Sequence, residues 1–108
     1  MLINIERLDS LPKNIISFLN ELSRNENIKK MIVFGSRVYG DYNSKSDIDL
    51  AIEFLNYNET EIFKLIDFME SNLKSLLFLS LVDFNKSPEK LKQKILKEGV
   101  KIYEYSKN

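Results

Sequence analysis

The chain is 108 residues long and 44% hydrophobic, with 16 basic and 16 acidic side chains and a formal net charge of zero. It contains no cysteine and no histidine, which excludes disulfide scaffolds, thiolate nucleophiles, zinc sites of the usual ligand types and serine–histidine triads. Catalysis in such a chain rests on Asp, Glu, Ser, Lys, Tyr or a bound ion.

The size suits one domain over residues 1–108 with a modest core. No apolar run is long enough to span a membrane, and the N-terminus shows no basic region followed by an apolar segment. A cytoplasmic protein without membrane contact is therefore expected. The balanced charge argues against direct nucleic-acid binding.

In chain order, Met1-Leu2-Ile3-Asn4-Ile5 reads as an extended arm or a frayed end. Ser10-Leu11-Pro12 opens a helix, with Ser10 near the cap and proline in the first turn. Leu11, Ile15, Phe18, Leu19 and Leu22 follow at helical spacing, and the helix is expected to end near Asn25 to Asn27. Ile28 to Phe34 is the first strand, and Gly35 to Asn43 a loop or short helix. Asp47 to Phe54 is the second strand. The link between the two strands is too short for a parallel crossover. They should be antiparallel neighbours, with Ser36 and the aspartates at one end of the sheet.

Asn56-Tyr57-Asn58-Glu59 turns into a helix whose inner stripe is Ile62, Leu65, Ile66, Met69 and Leu73, widened by Phe63 and Phe68. Ser75 to Asp83 is the third strand, and its near-continuous apolar content predicts a central position. Parity places Asp83 with Leu77, Leu79 and Leu81, so that face must open only at its end. Ser87-Pro88-Glu89 starts the last helix, with Ser87 as cap and Leu91, Ile95 and Leu96 inside. Gly99 stops it, and Val100 to Tyr105 alternates as a short edge strand. The lysines between Lys86 and Lys107 read as a solvated face. The expected class is α/β (α+β), with a small mixed or antiparallel sheet packed against helices.

The chemistry concentrates between Gly35 and Leu50. In the second strand Ile48, Leu50, Ile52 and Phe54 form one apolar face, while Asp47, Asp49, Ala51 and Glu53 share the other. The Asp47 and Asp49 Cβ atoms are then roughly 6–7 Å apart. Two anions so close call for a cation, and Mg²⁺, commonly held by one or two carboxylates plus substrate phosphates, is the natural candidate. Glu53 lies too far along for a first-choice ligand. At the entry, Gly35 permits close backbone approach, and free amides from Ser36 onward attract phosphate. Phosphate at one end and metal at the other is what phosphoryl or nucleotidyl transfer needs. Taken singly, each part has a plainer reading: a solvent-facing carboxylate pair, or a strand-end turn with a local serine bond. Arg37 suits either phosphate pairing or a surface ion pair, and Tyr39 and Tyr42 either base stacking or packing.

Gly35-Ser36, a ten-residue gap, then Asp47-Ile48-Asp49 resembles the signature of the DNA polymerase β-like nucleotidyltransferase superfamily, and the short chain resembles its minimal MNT-domain branch. The resemblance implies a nucleotidyltransferase fold and transfer of AMP from ATP to a hydroxyl, with two Mg²⁺ ions. It implies Asp47 and Asp49 as catalytic metal ligands, and Gly35, Ser36 and Arg37 on the triphosphate. In the superfamily a third carboxylate from a neighbouring strand joins the pair, and Asp83 is the residue that resembles it; its alternative is a turn aspartate in Asp83-Phe84-Asn85. Minimal members are often antitoxins paired with a HEPN-domain ribonuclease toxin, a toxin tyrosine being the acceptor. Two other outcomes stay open: an antitoxin acting by binding alone, and transfer to a small molecule such as an aminoglycoside.

Overall fold

The computed structural model describes residues 3–5, 11–35, 48–73 and 79–106. Its elements run α1 (Lys13–Leu22), β1 (Ile28–Phe34), β2 (Ile48–Phe54), α2 (Glu61–Asn72), β3 (Leu79–Asp83), α3 (Glu89–Glu98) and β4 (Val100–Glu104). The strands form one sheet in the order β3-β2-β1-β4. β1 is antiparallel to both β2 and β4, as the short link after Phe34 requires, whereas β2 and β3 are parallel. A parallel pair needs a long crossover, and α2 provides it.

Strand alternation divides the sheet into two faces with different roles. On one face Met31, Val33, Ile48, Leu50, Ile52 and Leu79 pack against Ile15, Phe18, Leu19 and Leu22 of α1 and Ile62 and Leu65 of α2. On the other, Ile32 and Ala51 meet Phe84 and Ile95, flanked by Phe34 and Leu91. The sheet is thus sandwiched between α1 and α2 on one side and α3 on the other. This is a mixed α/β architecture, with the larger core under the helices that precede and follow the β1–β2 pair.

Several local expectations change. α1 ends at Leu22, one turn early, because Ser23 Oγ donates to the Asn20 carbonyl (2.6 Å) and the Arg24 and Asn25 amides tighten onto Glu21 and Leu22. Ser10 lies outside the described residues, and Pro12 is the N-cap. β3 is an edge strand, not a central one; its apolar residues Leu79 and Leu81 face the larger core, and residues 75–78 lie outside the described residues. Ser87 does not cap α3, since its hydroxyl donates to the Asp83 carbonyl (2.8 Å). Leu96 is 55% exposed because the sheet-facing ridge of α3 is Leu91 and Ile95, four residues apart, and the next residue rotates away. Phe63 is likewise turned to solvent, while Phe68 stacks on Phe18 with ring centroids 5.7 Å apart.

Residues 3–5 form an arm: Ile3 is buried in the core and the Asn4 amide donates to the Ile102 carbonyl (2.7 Å). Gly99 ends α3 in an extended conformation (φ −78°). Glycine is needed there for space: a Cβ would stand 2.5 Å from both Ile32 Cγ2 and the Ile95 carbonyl oxygen.

Candidate active site

The site begins where β1 ends. Phe34 pairs with Asp49 across the antiparallel ladder, so the next residue, Gly35, arrives beside the Asp49 carboxylate. Gly35 has φ +85°, a conformation that side-chain-bearing residues rarely adopt. A Cβ on it would collide with Asp49 Oδ2. The carboxylate therefore fills the space that a side chain at position 35 would need. The sequence pattern is met here in three dimensions: a glycine-permitted turn lies directly on an acidic strand position.

Asp49 is half-buried. Two residues further along the same face Ala51 is buried beneath Phe84 and Ile95. Beyond it Glu53 is approached by Lys29 and Lys30, each at 3.9 Å. The face expected to be a row of carboxylates is thus divided. α3 roofs its middle, lysines neutralise its far end, and Asp49 remains at the rim near Gly35. Asp47, Ser36, Arg37, Tyr39 and Tyr42 lie outside the described residues.

The structure does not bring Asp83 to Asp49. In the parallel β2–β3 pair Asp83 stands opposite Ile52, while Asp49 stands opposite Ser80. Three residues of strand separate the two levels, about 10 Å. Opposed residues share a face, so Asp83 also falls on the larger-core side with Leu79 and Leu81. It serves a turn instead: Oδ2 accepts from the Tyr57 hydroxyl (2.9 Å) and Oδ1 from the Lys86 amide (3.3 Å). The Tyr57 hydroxyl is held above its ordinary pKa of 10.0 by loss of surrounding water and by the hydrogen bond and charge of Asp83. Among the described residues no cluster of three acidic side chains could hold a metal.

Ser80 is the residue the sequence reading passed over. It is exposed, lies on the carboxylate face and occupies the register position next to Asp49. Its signal was the single polar residue in Leu79-Ser80-Leu81-Val82, opposite in parity to the leucines.

The family profile described as "Polymerase beta, Nucleotidyltransferase" matches residues 13–108. The chain belongs to the polymerase beta nucleotidyltransferase family. Among solved structures, it is similar to a toxin–antitoxin crystallised with AMP-PNP. The TM-score there is 0.63 at 22% identity, with 86% of this chain and 73% of that one covered. It is also similar to the toxin–antitoxin MntA-HepT, with TM-score 0.55, 21% identity and coverage of 84% and 68%. A proposed nucleotidyltransferase from Sulfolobus solfataricus gives TM-score 0.58 at 25% identity, over 89% of this chain and 82% of that one. No curated protein matches it in sequence. These likenesses establish the nucleotidyltransferase fold, a four-stranded mixed sheet between helices.

Asp49 offers a carboxylate oxygen, the donor type a hard divalent ion takes, and its Oδ2 fills the space that a side chain on Gly35 would need. Asp47, the second carboxylate, precedes β2 directly in sequence.

Proposed function

We propose that this nucleotidyltransferase transfers AMP from ATP to a hydroxyl group and acts as an antitoxin, the acceptor being a tyrosine of a HEPN-domain ribonuclease toxin. The observation that carries the transfer reading is Gly35 packed on Asp49, where adding one carbon would displace the carboxylate. The toxin partner is supported by the likeness in fold to toxin–antitoxin structures, one of which was crystallised with AMP-PNP.

Asp47 and Asp49 would hold Mg²⁺, two ions in the full arrangement. Gly35, Ser36 and Arg37 would take the β- and γ-phosphates. Bound Mg²⁺ supplies charge neutralisation of the triphosphate and of the leaving pyrophosphate. In the transfer the acceptor oxygen forms a bond to the α-phosphorus. The bond from that phosphorus to the bridging oxygen breaks, and pyrophosphate departs with the electron pair. The acceptor proton passes to solvent or to a carboxylate of the site. Gly35, without a side chain, would let backbone groups approach phosphate closely, and α3 covers Ala51, the next position on the Asp49 face.

The test is incubation of the protein with α-labelled ATP, Mg²⁺ and a HEPN toxin. Label should appear on the toxin, and Asp49→Asn should lower transfer roughly a hundredfold or more, the scale of losing one preorganised charge-stabilising group. If Asp49→Asn neutralises the toxin as well as the parent protein does, the antitoxin works by binding alone. If label moves instead to an aminoglycoside, the acceptor is a small molecule.

A further inference from the structure

The strand next to Asp49 carries a hydroxyl at the register position facing it. β2 and β3 are parallel, with Asp49 opposite Ser80. Neighbouring strands lie about 4.8 Å apart, so a side chain at position 80 is close enough to share an ion with Asp49. Ser80 is exposed and on the same face, because Leu79 and Leu81 on either side of it turn into the core under α1 and α2. The next residue on this face of β3, Val82, stands beside roofed Ala51. Position 80 is the β3 position at the open rim on the carboxylate face. The acidic residue of β3, Asp83, is a turn residue at the opposite end, bonded to Tyr57 and Lys86.

We infer that Ser80 occupies the third ligand position of this site. The divalent ion then meets the Asp49 carboxylate on β2 but only a neutral hydroxyl on β3, and binds tightly only together with a triphosphate. This rests on the proposed nucleotidyl-transfer reading and specifies how its ion is recruited. The physical reason is charge. A serine hydroxyl offers an acceptor but no negative charge. A carboxylate at position 80 would add a full charge within a few ångströms of the ion, worth at least about tenfold in affinity even with substantial screening. Without that charge, the triphosphate must supply the missing anionic oxygens.

Mn²⁺ binding by the full chain, read from the EPR signal of the free ion with and without a non-hydrolysable ATP analogue, tests this. The parent protein should bind Mn²⁺ weakly alone and about tenfold or more tighter with the analogue. Ser80→Asp should bind Mn²⁺ alone about tenfold or more tighter than the parent. Ser80→Asn, similar in shape but uncharged, should not, and Asp83→Asn should match the parent. Circular dichroism confirms that each variant is folded; position 80 is exposed and accepts polar side chains. The inference is overturned if Ser80→Asp binds like the parent, if Ser80→Asn tightens equally, or if Asp83→Asn weakens binding. Asp49→Asn separates the two levels. If it lowers Mn²⁺ binding in the presence of the analogue while Ser80→Asp changes nothing, only the role of Ser80 is lost. If Asp49→Asn binds as the parent does, the underlying ion site is lost with it.

Discussion

Asp49 and Asp83 are the same side chain near the ends of two adjacent parallel strands, and their surroundings differ. Asp49 sits near the start of β2, against a glycine whose positive φ leaves its carboxylate the space a Cβ would take. Asp83 sits at the end of β3, in a knot of short-range bonds. There Tyr57 donates to its carboxylate, and Phe54 donates its amide to Asn85 Oδ1 (2.9 Å). Nearby, Asn27 and Asn56 exchange two hydrogen bonds, at 2.8 and 3.1 Å. One end of the sheet packs a carboxylate against a glycine. The other consumes its polar groups in joining the β2–α2 and β3–α3 turns. The same residue type thus packs on a glycine turn in one place and ties two turns together in another, and composition cannot tell the two cases apart.

The comparison is broken most severely at Gly35. Alanine there must adopt a left-handed conformation costing about 1–2 kcal/mol. Its methyl also presses on Asp49. The expected outcome is a fall in melting temperature of several degrees together with transfer lowered on the scale of Asp49→Asn. A Gly35→Ala protein with parental activity would show that the glycine and Asp49 are not coupled.

The opposite end should respond in stability alone. Asn85→Ala leaves the Phe54 amide without its acceptor, a loss of about 1–2 kcal/mol in denaturant unfolding, with transfer unchanged. An activity loss exceeding the fraction unfolded would mean that the two ends communicate.

The smallest effect is expected at Glu104. Its carboxyl is held below the ordinary value of 4.5, first by the hydrogen bond from Lys101 (2.8 Å) and then by that lysine's charge. A depressed folded pKa gives stability that is present above the unfolded value and disappears as pH falls through the folded one. Glu104→Gln should therefore be slightly less stable than the parent at neutral pH, with the difference fading as pH falls through the folded pKa, below the ordinary 4.5. A difference that persists in acid would assign the effect to packing.

Much of this molecule is legible from side-chain spacing. The periodic apolar residues of α1 and α2, the antiparallel β1–β2 pair forced by a short link, and the juxtaposition of glycine with an aspartate follow from local geometry. The spacing also fixed the parity of Asp83, which is why its place among the leucines held. Direction and register in the β2–β3 pair were not legible. A long crossover allows β3 to slide against β2 at little local cost, and only the packing of Leu79 and Leu81 under the helices selects the alignment. That alignment puts Ser80, not Asp83, beside Asp49. Sequence determined which residues could do chemistry, because backbone geometry over a few residues is nearly independent of the rest. Tertiary structure decided which of them meet, because pairing between distant strands is settled by the burial of their opposite faces.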